Sequence, residues 1–383
     1  MMSATSSSAK TSNGGYSSGD YESQLTLEEE QKERDHFQKV IDAFRYYRIH
    51  SMKRIATAEK QFNEIPTRQQ RLVPSFGDTS LRLQQAVEQN YAVVKKIIQS
   101  TDMLFENRSF PLDASTVNEV PDNKPKEFDM DKVRTTLKQL ARDWSDAGAV
   151  ERECCYAPVI RELLNIYPKE CISPNIKVLV PGAGLGRLAY EIARLGFTCQ
   201  GNEWSFYMLC AANFVINRCD MVNQYLLYPW VHQYNNNRTR ESQLASCSFP
   251  DRNPSAVPPG SKFSMAAGDF LEVYTEPDTW NCVATVFFID TAHNVIDYIE
   301  TIYRILQPGG CWINLGPLLW HYSDQPDESS VELTYEEVRA VITSIGFEFL
   351  KESRSHPATY TQNPESMLKY QYDCVFFVVR KPS

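Results

Sequence analysis

The chain divides into two halves by the spacing of its apolar residues. In the first half, apolar residues recur three or four positions apart, as in Phe37, Val40 and Phe44, and this spacing predicts amphipathic helices. In the second half, short apolar runs alternate with helical stretches, which predicts strands joined by helices. The predicted strands cover 176–180, 197–201, 263–267, 282–289, 311–315, 347–353 and 372–380.

The order of these elements predicts the fold class. Strand and helix alternate five times, and such an alternation forms a doubly wound, mostly parallel sheet. The apolar run 282–289 is typical of a strand buried on both faces. We therefore expect an α/β fold: a Rossmann-like sheet of seven strands with an added helical N-terminal region. The predicted helices begin at 26 and cover 81–100, 130–146 and 151–167 before the sheet, and 187–195, 205–217, 295–306 and 335–345 within it.

Composition and pattern together divide the chain into segments. Residues 1–25 are rich in Ser and Gly, and we expect them to be disordered. Residues 26–170 form the helical region, which contains a polar linker at 112–126. Residues 171–383 form the sheet domain, in which the polar stretch 229–261 is too long for an ordinary connection and predicts an insertion or a flap.

The charge balance narrows the classes of partner. Apolar residues make up 42% and charged residues 23% of the chain, which is typical of a soluble globular protein, and the net charge is −9. An acidic chain of this kind argues against nucleic acid as the main partner. The basic, tyrosine-containing stretch 45–54 leaves an RNA-binding face open, although a solvated helix face is the favoured interpretation. No apolar run is long enough to cross a membrane, so no membrane partner is expected.

The ten cysteines carry no metal-site or disulfide pattern. They are scattered, without a CxxC pair or the spacing of metal ligands, so we expect reduced thiols and no metal. The first residues have no apolar core of a secretory signal. Both observations predict a cytoplasmic protein, with the nucleus as the second compartment.

A glycine-rich turn follows the first predicted strand. Its sequence is Gly182-Ala183-Gly184-Leu185-Gly186, and glycine lets the backbone turn sharply and approach a ligand closely. The next predicted strand ends in Gly201-Asn202-Glu203, about twenty residues on, which is the spacing at which a Rossmann-like unit binds a ribose diol. The turn therefore predicts a nucleotide-like ligand at this edge of the sheet.

Further landmarks follow in order. Gly268-Asp269-Phe270 comes after the third strand, and Pro308-Gly309-Gly310 precedes the fifth. Together with the glycine turn and Glu203, they resemble the class I S-adenosylmethionine-dependent methyltransferases. The resemblance implies S-adenosylmethionine as the cofactor, with its methionine part at the glycine turn, its ribose on Glu203 and its adenine near Asp269. The cofactor-binding residues that it implies in the sheet domain are Gly182, Gly184, Gly186, Glu203, Asp269 and Phe270.

Longer runs are similar to one particular family. The stretches 178–186, 201–205, 287–294 and 313–322 resemble the carnosine N-methyltransferases, and the similarity extends over nearly all of the chain beyond residue 30. The resemblance implies methylation of the imidazole π nitrogen of carnosine, a small dipeptide, and of related L-histidine-containing dipeptides, giving anserine from carnosine. It also implies a homodimer formed through the extra helices.

The resemblance extends the cofactor site into the helical region. It implies that Gln139 and Arg142 reach the methionine end of the cofactor, so that the helices cap the site. The two residues are one helical turn apart and share a face, and arginine suits a carboxylate. From the residues alone, both would be solvated positions on a helix.

The acceptor side is predicted at the ends of the fourth and fifth strands. Asp290 follows the fourth strand, where it could accept a hydrogen bond from the imidazole N–H and thereby fix the tautomer that attacks. The alternative is that Asp290 caps the helix that begins at Val295. The resemblance implies that His321 and Tyr372, and with them Tyr370 and Tyr360, contact the substrate. Tyr370 and Tyr372 are two residues apart, so strand alternation predicts that they point to the same face. Ordinary strand packing is the alternative for these tyrosines. The predicted catalytic residues are Asp290, His321 and Tyr372; His293 stays outside this set as a helix cap or a supporting residue.

Three other functions remain open at this point. The chain could methylate histidine in a protein, methylate RNA, or serve as a non-catalytic methyltransferase-like interaction module. A basic, open mouth would favour RNA, whereas a closed pocket of dipeptide size would favour carnosine. The intact Gly182, Gly184, Glu203 and Asp290 argue against a module without activity.

Overall fold

A computed structural model describes residues 27–101, 121 and 124–383 of the chain. The segment 1–25 and most of the predicted linker at 112–126 lie outside the described residues. Within these ranges the strands are β1 (Lys177–Pro181), β2 (Thr198–Glu203), β3 (Tyr225–Leu227), β4 (Cys247–Phe249), β5 (Phe263–Ala267), β6 (Trp280–Val286), β7 (Leu306–Gly316), β8 (Glu348–Ala358) and β9 (Tyr372–Arg380). The α-helices there are α1 (Leu27–Glu64), α2 (Thr67–Gln70), α3 (Phe76–Gln99), α4 (Glu127–Trp144), α5 (Ala149–Cys155), α6 (Ala157–Ile166), α7 (Arg187–Arg194), α8 (Phe206–Arg218), α9 (Arg240–Gln243), α10 (Phe270–Val273), α11 (Val295–Ile305) and α12 (Tyr335–Ile345).

Seven of these strands form one sheet in the order β5-β2-β1-β6-β7-β9-β8. Neighbouring strands from β5 to β7 are parallel, and β9 is antiparallel to both β7 and β8. The predicted doubly wound, mostly parallel sheet is therefore confirmed. The strand order reverses between β1 and β6, and open α/β sheets bind ligands in the crevice that such a reversal leaves at the carboxyl ends of the strands.

The central strands are buried on both faces. Along β1, Val178 and Val180 belong to the apolar core on the side of the N-terminal helices, and Leu179 between them belongs to the core on the other side. This alternation follows from the period of two along a strand. It explains why the runs are almost wholly apolar, as expected for strands covered by helices on both sides.

The N-terminal helices share a core with the sheet domain. Phe37 of α1 packs edge-on against Phe206 of α8, with ring centroids 5.5 Å apart, and Phe44 packs against Tyr207 at 5.6 Å. Helix α4 follows α1 and α3 and ends at the glycine turn, where the Trp144 indole N–H donates to the Leu185 carbonyl at 3.0 Å. No helix in the described ranges is both long and apolar enough to cross a membrane.

Several elements differ from the sequence prediction. The strand predicted at 311–315 already begins at Leu306, so β7 includes the Pro308-Gly309-Gly310 that was expected to precede it. The strand predicted at 347–353 continues to Ala358. The stretch predicted as one helix at 151–167 is two helices, α5 and α6, separated at Tyr156, because Pro158 in the first turn of α6 prevents a continuous helix. The strand predicted at 282–289 ends at Val286, and a short 3-10 turn follows at Ile289–Thr291. The predicted insertion at 229–261 contains β4, which pairs antiparallel with β3.

Candidate active site

The glycine turn joins β1 to α7 through three left-handed residues. The φ angles of Gly182, Gly184 and Gly186 are 64°, 55° and 77°, a region that side chains with a Cβ rarely adopt. A Cβ on Gly182 would lie 2.5 Å from a ring carbon of Phe288. A Cβ on Gly184 would have one atom of the described residues within 4 Å, Asp143 Oδ2 at 3.9 Å, so this glycine borders open space.

Gly186 serves packing rather than ligand contact. A Cβ there would lie 3.1 Å from Ile216 Cδ1 and 3.1 Å from Met265 Sδ. The absence of a side chain therefore lets α7 begin close to the neighbouring strands and to α8. The structure separates the predicted glycines into Gly184, which faces the crevice, and Gly182 and Gly186, which neighbouring side chains cover.

Glu203 closes the turn from the end of β2. Its carboxylate accepts the backbone N–H of Gly184 at 2.8 Å, of Trp204 at 2.9 Å and of Ser205 at 2.8 Å. Burial raises the pKa of Glu203, and these three N–H donors oppose that shift. Because Oε2 accepts a single described hydrogen bond, it keeps a lone pair for a ligand hydroxyl.

Aromatic rings line the region after β5. Asp269 caps α10 by accepting the Leu271 N–H at 2.7 Å, and Phe270 is buried against Phe288 and Tyr298, with centroids 5.5 Å and 5.3 Å away. Burial, with a smaller contribution from the charges of Asp269 and Glu203, raises the pKa of Tyr298 to about 12. The two predicted acids and Phe270 are thus gathered around one aromatic cluster.

The last turns of α4 bring Gln139 and Arg142 to the same crevice. Each is 5% exposed, so the interpretation of both as solvated helix positions is wrong. Gln139 donates from Nε2 to the Tyr360 hydroxyl, and the Arg142 guanidinium stacks over the Tyr360 ring at 4.7 Å. Arg142 Nη1 donates to Asp143 Oδ1 and to the Tyr156 hydroxyl, both at 2.7 Å.

Several polar atoms of this cluster are buried without a partner. Gln139 Oε1 and Arg142 Nε and Nη2 make no hydrogen bond with the described residues. Arg142 Nε lies 3.5 Å from a carboxylate oxygen of Glu151, outside bonding geometry. Unpaired donors on a buried cation are costly, and a ligand carboxylate would satisfy both nitrogens. The residues present therefore fit the amino-acid end of S-adenosylmethionine.

Asp290 lies in a short 3-10 turn after β6, at the other side of the strand-order reversal. It is 2% exposed; Oδ2 accepts the Leu319 N–H at 2.9 Å, and its carbonyl accepts the His321 N–H at 3.0 Å. These bonds hold the loop after β7 against Asp290. The second carboxylate oxygen, Oδ1, is buried without a hydrogen bond. Burial raises the pKa of Asp290, and nearby His321 opposes the shift.

Asp290 does not cap the following helix. The cap of α11 is Asn294, whose Oδ1 accepts the Ile296 N–H at 3.1 Å. His293 also takes no part in the cap. Its ring stacks on Tyr322 at 3.7 Å, and its Nδ1 lies 2.8 Å from the Ser329 carbonyl. The alternative interpretation of Asp290 is therefore wrong, and the Asp290 carboxylate is left for another use.

The other predicted substrate residues occupy different depths. The His321 side chain is exposed beside Asp290, and Tyr372 is half-buried, with a pKa raised by burial and by the Asp290 charge. Tyr370 is 67% exposed and precedes β9, so strand alternation does not place it beside Tyr372. Tyr360 is half-buried between Gln139 and Arg142, on the side of the predicted cofactor residues.

Phe287 joins the two sides of the site and was not predicted. Its ring lies 5.0 Å from Tyr360 and 5.6 Å from Tyr372 by centroid distance. Its φ of 52° is unusual for a bulky residue, and this strain at the end of β6 is typical of functional sites. Sequence reasoning also missed Asp143, Glu151 and Tyr156, because charged and aromatic positions on a helix carry no signal for burial.

In the described part of the chain, the cysteines form no disulfides and the side chains of metal-ligand type form no clusters. The ten cysteines there are free thiols, and no group of three or more His, Cys, Asp or Glu side chains in those ranges is arranged for a metal ion.

The strand order with an antiparallel β9, the glycine turn after β1 and the acid at the end of β2 together define the class I S-adenosylmethionine-dependent methyltransferase fold. The family model described as carnosine N-methyltransferase matches residues 119–383. The carnosine N-methyltransferase of Rattus norvegicus is 51% identical over 93% of this chain and 88% of its own length. Those of Drosophila melanogaster and Schizosaccharomyces pombe are 43% and 39% identical, each over 92% of this chain and over 81% and 98% of their own lengths. The chain belongs to the carnosine N-methyltransferase family.

Proposed function

We propose that this chain transfers a methyl group from S-adenosylmethionine to the imidazole of carnosine, giving anserine, and that related L-histidine-containing dipeptides are also acceptors. Family membership over nearly the whole chain supports the reaction and the substrate class. The single observation that carries the mechanism is the buried Asp290 carboxylate. It lies at the strand-order reversal with one oxygen bonded to Leu319 and the other unpaired.

Asp290 has the chemistry that an imidazole acceptor needs. A neutral imidazole has one N–H and one nitrogen with a free lone pair. If Asp290 Oδ1 accepts the N–H, the ring is held in one tautomer and its other nitrogen points away from the carboxylate. For methylation at the π nitrogen, the N–H that faces Asp290 is that of the τ nitrogen.

The Asp290 charge also supports the transfer. S-adenosylmethionine supplies, when bound, a methyl carbon attached to a positively charged sulfur. The acceptor nitrogen would bond to that carbon as the carbon–sulfur bond breaks, and the electron pair of that bond would leave with S-adenosylhomocysteine. The positive charge would pass to the imidazole, where the buried carboxylate stabilises it until the τ N–H proton is lost and neutral product forms. His321 and Tyr372, both beside Asp290, complete the proposed catalytic set, and Phe287 forms a wall between Tyr372 and Tyr360.

The cofactor is proposed to bind across the two parts of the chain. Glu203 binds the ribose, and Gly184 borders the methionine part. Asp269 and Phe270 form the adenine side, and Arg142 with Gln139 binds the amino-acid end. Arg142 Nε and Nη2 provide two parallel N–H donors, a geometry that suits a carboxylate. Gly182 and Gly186 set the shape of the turn.

The surroundings of the acceptor site favour a small substrate over RNA. The loop after His321 carries exposed Asp324, Asp327 and Glu328, and like charges repel a phosphate backbone. The deeply buried Asp290 suits an imidazole that enters between aromatic side chains.

Purified full-length protein, methyl-labelled S-adenosylmethionine and carnosine test the proposal. We expect label in anserine, identified against authentic π- and τ-methylated standards, and weaker or no transfer to free histidine. Asp290→Asn should abolish most of the transfer, and Asp297→Asn, an exposed acid on α11, is the matched control. Absence of label in carnosine and in its γ-aminobutyryl homologue would contradict the proposal; label in RNA or in protein histidine would support the alternatives.

We also propose that two copies associate through the added helices. Apolar side chains are exposed where α1, α2 and α3 meet, and exposed apolar groups of this kind mark interaction surfaces. They are Ile65, Leu72, Val73 and Leu81. Sedimentation velocity should give the mass of a dimer for the wild type and of a monomer for Leu72→Asp. A monomeric wild type would contradict this proposal.

A further inference from the structure

We propose that Asp143 is a cofactor-binding residue that holds the α-ammonium group at the amino-acid end of S-adenosylmethionine, beside Arg142, which holds the α-carboxylate. This inference rests on the proposed function, because it concerns the same cofactor. It assigns to the site a charged group that the glycine turn and the acids of the sheet do not supply.

The two oxygens of the Asp143 carboxylate have different surroundings. Asp143 is 2% exposed, at the last turn of α4. Oδ1 accepts from Arg142 Nη1 at 2.7 Å and from the Tyr156 hydroxyl at 2.9 Å. Oδ2 accepts no hydrogen bond from the described residues, and it is the atom that borders the open side of Gly184, 3.9 Å from where a Cβ would stand. An anionic oxygen with free lone pairs therefore faces the ligand side of the glycine turn.

The neighbouring groups make the cluster complementary to an α-amino acid. Arg142 uses Nη1 for Asp143 and Tyr156, whereas its Nε and Nη2 are buried without a hydrogen bond. Gln139 Oε1 is a further buried acceptor without a partner. Two cationic N–H donors and two oxygen acceptors from the last turns of α4 thus lack a hydrogen-bond partner among the described residues, and Nε has only the Glu151 carboxylate at 3.5 Å. A zwitterion with adjacent carboxylate and ammonium groups satisfies both kinds of atom, whereas a simple carboxylate or a simple amine satisfies one.

The backbone around Asp143 is held rigidly against the glycine turn. The Asp143 carbonyl accepts from Arg187 Nη1 at 2.7 Å, and the Arg142 carbonyl accepts from Arg152 Nη1 at 2.6 Å. Trp144 donates to Leu185 within the turn itself. Because these bonds fix the carboxylate before any ligand binds, little ordering is required on binding.

A purely structural role for Asp143 would be to neutralise Arg142. The two roles differ in what the protein can distinguish. A neutralising Asp143 affects every cofactor analogue alike, whereas an ammonium-binding Asp143 affects only ligands that carry the α-amino group. The test is therefore a ratio of affinities.

Calorimetry with the purified chain measures the dissociation constants of S-adenosylhomocysteine and of its deaminated analogue, in which hydrogen replaces the α-amino group. The ratio of these two constants is the preference for the α-amino group. We expect the wild type to prefer S-adenosylhomocysteine by about 10- to 100-fold, as for a charge-assisted hydrogen bond. Asp143→Asn should lose most of that preference. The variant should still bind S-adenosylhomocysteine more tightly than a second analogue, which lacks the α-carboxylate, because Arg142 is unchanged. Asp146→Asn, which neutralises an exposed acid just after α4, is the matched control and should keep the preference for the α-amino group.

Two results would overturn the inference. One is a wild type that binds the deaminated analogue as tightly as S-adenosylhomocysteine, which needs no variant and no refolding. The other is a folded Asp143→Asn that keeps the full preference. Methyl transfer to carnosine is measured in parallel. If the wild type shows the ammonium preference but does not methylate carnosine, the proposed substrate is contradicted and the role of Asp143 is not.

Discussion

At the scale of single residues, the site is marked by buried polar atoms that lack a partner. Asp290 Oδ1 lies on the proposed substrate side, and Arg142 Nε and Nη2 with Gln139 Oε1 lie on the proposed cofactor side. Each such atom destabilises the ligand-free fold by about 1–3 kcal/mol, and a bound ligand removes that cost. The unpaired atoms therefore describe the polarity of what binds.

Asp290→Asn should separate chemistry from cofactor binding. The amide can still accept from Leu319, but it cannot carry the charge that stabilises a cationic imidazole. We expect kcat to fall by about 100-fold or more, with the dissociation constant of S-adenosylhomocysteine unchanged. Turnover at the wild-type level would remove Asp290 from the mechanism.

The same substitution should alter the pH dependence of stability. Burial raises the pKa of Asp290, so the folded state binds this proton more tightly than the unfolded state does. The free energy of unfolding of the wild type should therefore decrease as pH rises from the ordinary Asp range, about 4, through the raised pKa. Relative to the wild type, Asp290→Asn should become more stable over that range in urea titrations at several pH values. If the free energy of unfolding of Asp290→Asn, relative to that of the wild type, instead falls as pH rises, the fold stabilises the ionised carboxylate. That result would contradict a raised pKa for Asp290.

At the scale of elements, α4 connects the helical region to the proposed cofactor site. Its C-terminal carbonyls accept from Arg152 and Arg187, and both arginines bond to one buried carboxylate, Asp251. Cations at a helix C-terminus also complement the helix dipole. Asp251 therefore holds the end of α4, and with it Arg142 and Asp143, from a distance.

Asp251→Ala should weaken both the fold and cofactor binding. It leaves two buried guanidinium groups without their shared partner, and removal of one member of a buried ion pair costs about 3–5 kcal/mol. Denaturant titration measures the loss of stability, and calorimetry with S-adenosylhomocysteine measures the loss of affinity. Asp278→Ala removes an exposed pair with Lys381 and serves as the control, with little effect on either. Equal effects of the two substitutions would contradict this role for Asp251.

The sequence predicted where most helices and strands lie. It did not predict the helix break at Tyr156 or the two short strands β3 and β4. The strands at 263–267 and 372–380 and the helix at 335–345 have the predicted bounds, because apolar periodicity follows burial directly. The break at Tyr156 depends on where a proline falls in a helix start. The strands β3 and β4, with three residues each, are too short to show alternation.

At the scale of the whole molecule, the proposed site lies between the helical region and the sheet domain. The position of the glycine turn, Glu203 and Asp290 at one edge of the sheet was predictable, because the carboxyl ends of parallel strands meet there. Arg142 and Asp143 come from a helix whose contact with the turn depends on tertiary packing, so their burial has no local signal. Glu151 likewise reaches Thr361 and Gln362, far along the chain, by backbone N–H bonds of 2.8 and 2.9 Å.

Cofactor binding should therefore protect amides in both parts of the chain. With saturating S-adenosylhomocysteine, hydrogen exchange should slow at the end of α4, in the turn 182–186 and in the loop 359–362 that Glu151 holds. The exchange rates of the amides in α2 should not change, because α2 contributes no residue to the proposed site. Protection confined to the sheet domain would contradict a site built from both parts.

The most direct test of the central claim is a crystal structure with S-adenosylhomocysteine and carnosine bound together. We expect the imidazole to donate its τ N–H to Asp290 Oδ1, with the π nitrogen facing the sulfur and the amino-acid end of the cofactor on Arg142 and Asp143. A dipeptide whose imidazole lies away from Asp290, or whose β-alanyl amine faces the sulfur instead, would contradict the claim.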